Sequence, residues 1–248
     1  MRDAREFVIL DRLRATRSAT VAELAEAAGT SDATIRRDLA RLDEQGALRR
    51  THGGAVLVEV DAPFAEVEQV NREAKERIAR AAAAQIQDGQ SVVLDIGTTT
   101  LHLAEQLRGR TLTVITANVA AFDVLRDDRA VRLILLPGDW DPVYRSVSGP
   151  LTAESLRMLH ADHAFVGVSG IADNGDLRDT TMAQVPIKRA MAEMSDRVTV
   201  LADSSKFPGT GAGRVAPTAS LTQLITEAAP HERVSQGLAD KGVSVTVA

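Results

Sequence analysis

Cysteine is missing from this 248-residue chain. That excludes disulfides, thiolate zinc sites and cysteine nucleophiles, and it fits a reducing, cytoplasmic setting. Aromatics are scarce at 3%, with a single Trp and a single Tyr. No apolar run approaches the ~20 residues a membrane-spanning helix needs. The opening MRDAREFVILDRLRATRS lacks the basic-then-apolar shape of a secretory signal. The five histidines, at 52, 102, 160, 163 and 231, show no metal-ligand spacing with carboxylates. His160 and His163 read as structural. No G-x-S-x-G element or nucleotide fingerprint is present, so no metal, cofactor or catalytic group is expected.

Strong charge of either sign is also missing. The net charge is −5. Residues 1–57 hold ten Arg and Lys against nine Asp and Glu, while the remainder holds nineteen against twenty-five. A mildly basic start does not announce nucleic-acid binding, so that reading depends on where the arginines sit. What is present is apolar content, 44%, enough for a small domain and a larger one with real cores.

Phe7, Leu10 and Leu13 recur with helical spacing. Thr20 followed three residues later by Glu23 forms a capping box that starts a helix at Val21, and Gly29 stops it. Ser31 caps a further helix, SDATIRRDLARLDEQ, ended by Gly46. Two helices joined by a tight Gly-containing turn make a helix-turn-helix. On the second helix Ile35, Leu39 and Leu42 form the buried stripe, and Thr34, Arg37 and Arg41 occupy another face. Thr34 and Arg37 lie toward the N-terminal end, which recognition helices present to base edges. An arginine there can bond both guanine acceptors, and a threonine methyl can touch thymine. Arg36 points elsewhere and suits a phosphate. Ser31, at the same helix end, is grouped with these contacts. Two β-prone runs flanking His52-Gly53-Gly54 then read as a hairpin wing, with Arg49, Arg50 and His52 near the DNA backbone or minor groove.

The stretch VAELAEAAGTSDATIRRDLARLDEQGALRRTHGGAV closely resembles the N-terminal signature of DeoR-family bacterial transcriptional regulators. Its TIRRDL core and HGGA hairpin carry the resemblance. In that pattern Thr34, Arg36 and Arg37 are the expected DNA contacts.

Residues 58–75 mix charge with Pro63 and few large apolar groups, and read as a linker between domains 1–57 and 76–248. A helix over roughly 66–87 follows a hinge near Ala62-Pro63. Its first half packs between subunits or lies solvated on its own domain.

From residue 90 strand-like runs at 91–96, 112–116, 131–136, 163–169, 198–203, 222–226 and 243–247 alternate with helix-length segments. Continuous Val/Leu/Ile runs alternating with helices imply an α/β domain around a mostly parallel sheet. Such sheets bind ligands beyond the carboxyl ends of their strands. After the first strand Gly97-Thr98-Thr99-Thr100 opens a helix, offering free N–H groups and hydroxyls to phosphate oxygens. Later strand ends carry Thr116-Ala117-Asn118, Pro137-Gly138-Asp139 and Asp203-Ser204-Ser205-Lys206. An aspartate and a lysine at one strand end suit a phosphorylated polyol.

This half, from about residue 76 to 226, also resembles the DeoR-family sensor domain, through LDIGTTT, TAN, SVSGPLTAESLRMLHADHAFVGVSGI, IKRAM and LADSSKF. The resemblance implies a fold related to ribose-5-phosphate isomerase, with a sugar-phosphate effector. It implies Thr98, Thr99, Asn118, Lys188, Asp203 and Lys206 as effector contacts, beside Gly97, Thr100 and Gly138 from the strand ends. The related isomerases carry an acidic strand end where this chain reads FVGVSGI. Isomerisation needs a positioned base and acid, so the domain reads as a binding relic. Trp140 and Tyr144 cover the ligand, make a subunit contact or pack a loop. PGTGAGR at 208–214 matches no phosphate loop and reads as a mobile loop. Together these features predict a regulator, repressing sugar-catabolic genes until a phosphorylated sugar intervenes. It would bind double-stranded operator DNA as a homodimer or higher homo-oligomer. The alternatives are an active sugar-phosphate isomerase-like enzyme with an accessory DNA-binding head, and a DNA-binding scaffold without a ligand.

Overall fold

Two periodicities build the chain, 3.6 in its helices and 2 in its strands, and they assemble two units, Met1–Val60 and Asp61–Ala248. The computed structural model describes all residues except 1, 17, 45–47, 52, 58–62, 210 and 216–220.

The first unit runs α1 (Arg2–Thr16), β1 (Ser18–Thr20), α2 (Val21–Ala27), α3 (Asp32–Glu44), β2 (Leu48–Thr51) and β3 (Gly54–Leu57). The capping box forms: Glu23 N–H donates to Thr20 Oγ1 at 3.2 Å, and Thr20 N–H donates to the Glu23 carboxylate at 2.8 Å. Ile35, Leu39 and Leu42 of α3 are buried with Ile9, Leu13 and Leu24. Ile9 and Leu13 are the buried residues of α1 among the described side chains, with Leu10 only partly covered; the Phe7 side chain lies outside them. The three strands form an antiparallel sheet in the order β1-β3-β2. A Cβ at Gly54 would stand 2.1 Å from the Ala19 carbonyl oxygen. Only glycine lets β3 approach β1 this closely.

The second unit opens with α4 (Phe64–Gln69) and α5 (Arg72–Ala83). The helix expected over 66–87 is broken at Asn71, whose φ is +53°. Residues 64–75, read above as linker, fold into these helices: Phe64 is buried, and its N–H donates to the Val143 carbonyl at 3.0 Å. Then come β4 (Ser91–Leu94), α6 (Thr98–Gln106), β5 (Leu112–Thr116), α7 (Val119–Leu125), β6 (Val131–Leu135), the hairpin β7 (Asp139–Asp141) and β8 (Ser146–Ser148), and α8 (Pro150–Arg157). They are followed by β9 (Ala161–Gly167), β10 (Gly170–Ile171), β11 (Leu177–Asp179), α9 (Val185–Glu193), β12 (Ser195–Leu201), β13 (Gly213–Val215), β14 (Leu221–Thr226), α10 (Glu232–Ala239) and β15 (Ser244–Val247).

Seven strands form one parallel sheet in the order β15-β14-β12-β9-β4-β5-β6. Alternate side chains serve opposite faces. Val92, Leu94, Phe165 and Leu201 pack under α5, α6 and α7 through Ile78, Leu103 and Leu125. Val93, Ala164, Val166 and Val200 pack under α8, α9 and α10 through Leu156, Met191 and Leu238. A small antiparallel sheet, β10-β11-β13, joins that second layer. The segment 208–214, expected to be mobile, is partly built into it: Gly213 to Val215 pair with β11, and Gly209 N–H donates to Ile171 O at 2.9 Å.

Candidate functional site

In the first unit α3 is clamped by ion pairs. Arg5 of α1 donates to Asp38 at 2.6 Å, and Arg41 pairs with Glu6. Arg41, expected on the DNA-facing side with Thr34 and Arg37, is therefore a helix-to-helix tie. Arg36 and Arg37 are exposed and have no ion-pair partner among the described residues. The Ser31 and Thr34 hydroxyls bond each other at 3.0 Å, at the N-terminal end of α3. Arg36 and the exposed Arg50 of β2 line one surface groove with Thr51 and Gly54. The wing and α3 thus present cations to a common concavity, a charge pattern suited to a phosphate backbone. Arg49 lies on β2, paired through its backbone with Val56. His52 lies outside the described residues.

In the second unit the strand order reverses between β4 and β9. From β4 the chain adds β5 and β6 on one side, then returns to β9 on the other and continues outward. The crevice beyond the carboxyl ends at such a reversal is where open α/β sheets bind ligands. A cleft of about 670 Å³, counting its open mouth, lies there. After β4 it is lined by Gly97, Thr98, Thr99 and Thr100, after β9 by Gly167 and Ser169, and after β12 by Asp203 and Lys206.

Gly97 adopts φ +134° and opens α6 with no side-chain cap, a conformation that favours glycine. The first-turn N–H groups of α6 have no helix carbonyl to bond. The Thr100 hydroxyl turns back, donating to the Asp95 carbonyl at 2.7 Å, and so fixes this turn. Asn118 steadies it from behind: its amide donates to Gly97 O at 2.9 Å, while its oxygen accepts from Ala120 and Ala121 N–H. Asn118 is fully buried and does not line the cleft. Gly138 also stands apart, against Ser148 and Thr152. The other seven effector candidates converge on the cleft.

Sequence reasoning missed several residues here. Lys188 donates to Asp95 and to Gly167 O, the latter at 2.8 Å, and stands 3.4 Å from Asp179. Burial disfavours its charge, but Asp95 and Asp179 together hold its pKa above the ordinary lysine value. The carboxylates that FVGVSGI lacks thus come from neighbouring β4 and from β11, and both face the Lys188 ammonium. Asp95 was legible in LDIGTTT as the last polar residue before Gly97. Asp179 was not, because only tertiary folding brings β11 to the cleft. Gln184 lines the cleft, and its buried Oε1 has no hydrogen-bond partner among the described residues. Tyr144 lines it too, edge-on to Phe64 with ring centroids 5.9 Å apart, whereas Trp140 is exposed.

Lys75 of α5 completes the wall and donates to the Val67 carbonyl. Burial pushes its pKa down to about 8, with Lys206 adding to the fall and Asp203 and Glu68 opposing it.

The DeoR-like helix-turn-helix domain matches residues 5–60, and the DeoR C terminal sensor domain matches residues 70–228. The chain belongs to the DeoR family. It is 33% identical over 252 residues to the HTH-type transcriptional repressor GlcR of Bacillus subtilis, covering 99% of this chain and 96% of that one. It is 33% identical to the glycerol-3-phosphate regulon repressor of Escherichia coli, covering 90% of each. It is 30% identical to the L-fucose operon activator of Haemophilus influenzae, covering 90% and 91%. Ribose 5-phosphate isomerase from Methanocaldococcus jannaschii aligns with a TM-score of 0.41 and 17% identity over 55% of this chain and 54% of that one, a likeness too distant to bear on function. This DeoR-family member is a DNA-binding transcriptional regulator. Among the described residues no helix is long and apolar enough to cross a membrane.

Proposed function

We propose that this DeoR-family regulator represses sugar-catabolic genes and leaves its operator when a phosphorylated sugar fills the cleft. The observation that carries the reading is the α6 N-terminus under Gly97, set at the strand-order reversal in a cleft that Lys206 also lines. Unpaired N–H groups and a lysine suit a phosphate. The unpartnered Gln184 oxygen suits a sugar hydroxyl. The relatives named for the glycerol-3-phosphate regulon and the L-fucose operon fit an effector of this class. Because one relative is named an activator, the sign of regulation is tested directly below.

On DNA, Thr34 and Arg37 read base edges, while Ser31, Arg36, Arg49 and Arg50 hold phosphates. Two copies bind paired half-sites, so the regulator works as a homodimer or larger assembly, in the cytoplasm where the chromosome lies. Effector binding shifts operator affinity by its differential affinity for the two arrangements of those copies.

The test is a thermal-shift panel of sugar phosphates on the full chain, followed by operator titration with any compound that stabilises it. Stabilisation without chemical conversion, accompanied by weaker operator binding, is the expected result. A full panel with no shift overturns the effector reading, and tighter operator binding overturns repression.

A further inference from the structure

We propose that Lys75 is an effector-responsive latch: an anion in the cleft draws its ammonium away from the Val67 carbonyl and so releases α4, the first helix after the boundary between the two units. The inference rests on the reading of the cleft as an anion-binding pocket and adds to it the path by which occupancy is felt.

Two buried lysines line the cleft, and they differ in partners. Lys188 faces two carboxylates. Lys75 is 4% exposed, yet no carboxylate lies within 4 Å of it among the described residues; its one hydrogen-bond acceptor is the Val67 carbonyl. An ammonium has three donors, and a single carbonyl does not offset the removal of its charge from water. A bound anion would. The groups facing Lys75 are Glu68 of α4, and Asp203 and Lys206 from the loop after β12. Recruiting it therefore places two cations, Lys75 and Lys206, with the α6 N-terminus around one anion.

The acceptor it would leave belongs to a strap with few other holds. Val67 O also receives the Val70 N–H, which closes the last turn of α4. The strap is otherwise held by Phe64, whose ring packs against Tyr144 and whose N–H donates to Val143 O at 3.0 Å, by Glu68 near Arg72 and His102 at 3.1 and 3.6 Å, and by the Asn71 amide on Asp203 at 3.0 Å. Val67, Tyr144 and Asp203 all line the cleft. Upstream, the first unit ends at Val60, four residues before α4 begins. A change at Val67 thus occurs on the segment that continues into the DNA-reading unit.

The experiment uses the full chain with inorganic phosphate as probe. Calorimetry is run near pH 8.5 in buffers of different ionisation enthalpy, on wild type, Lys75→Met, Lys75→Arg and Lys206→Ala. Hydrogen exchange is followed over residues 64–72 on the same proteins. Wild type should bind phosphate with fractional proton uptake and faster exchange in α4. Lys75→Met should bind ~10-fold or more weakly, take up no proton, and show the fast α4 exchange without ligand. Lys75→Arg should restore binding without proton uptake, an outcome that mere packing by Lys75 would not produce. Phosphate binding by Lys75→Met equal to wild type, with Lys206→Ala impaired, overturns the latch and leaves the pocket standing. Phosphate binding in wild type with no change in α4 exchange also overturns the latch. No phosphate binding by wild type overturns both.

Discussion

The arginines of the first unit and the lysines of the second carry the same charge into opposite surroundings. Arg36 and Arg37 stand in solvent without ion-pair partners among the described residues, whereas Lys75 and Lys188 are almost wholly buried and held by oxygens of the chain. A cation that meets a polyanion from outside stays hydrated and mobile until contact. One that receives a small ligand is desolvated and aimed in advance, so its loss disturbs the fold as well as the binding. Arg41 shows that helical spacing does not decide which kind a residue is: it shares a face with Arg37 but is tied to Glu6.

The largest expected effect breaks the comparison on its buried side. Lys188→Ala leaves Asp95 and Asp179 without their cation and should destabilise the second unit by about 3–5 kcal/mol. Urea unfolding measures this, and a loss below about 1 kcal/mol would show that the cluster is hydrated after all. Next is His163, buried in β9 with Nε2 on the Thr199 hydroxyl at 2.7 Å. Burial, with Arg197 assisting, lowers its pKa to about 4 from 6.5. The unfolded chain therefore binds the extra proton between those values. Stability is full above pH 6.5 and falls toward pH 4, by at most about 1.4 kcal/mol per pH unit. His163→Gln should flatten that part of the curve; an unchanged slope would assign it to other groups.

On the exposed side, Arg37→Ala should reduce discrimination between operator variants by about 1–3 kcal/mol, while Arg36→Ala weakens all duplexes alike and lowers the salt dependence of binding. Fluorescence anisotropy across operator variants separates the two, and both should leave stability within about 0.5 kcal/mol. The smallest effect tests the frame that holds these arginines. Thr20→Ala removes the α2 cap and should cost about 1 kcal/mol in the first unit, read by thermal unfolding.

The same contrast governs what was legible in advance. Local signals survived folding: the Thr20–Glu23 box, the Ile35/Leu39/Leu42 stripe and the alternation of strands with helices all appear where the sequence puts them. Gly97-Thr98-Thr99-Thr100, Lys188 and Lys206 reach one cleft. Longer-range features did not show. Asp179, Gln184 and Lys75 join the cleft from β11, from the turn before α9 and from α5, with no shared spacing to betray them. The helical pattern of 66–87 concealed the break at Asn71 because an αL residue leaves the apolar periodicity on either side intact. Asn118 carried the expected residue type but supports the Gly97 turn rather than facing the cleft, a distinction set by side-chain direction alone.

The central claim is that one chain couples a DNA-reading helix to a phosphate-holding cleft. Its most direct test titrates the stabilising sugar phosphate into wild-type and Lys206→Ala protein, each bound to duplex from its own promoter region. Release of wild type at concentrations that leave the Lys206→Ala complex intact is the predicted result. Equal release of both, or release of neither, would contradict it.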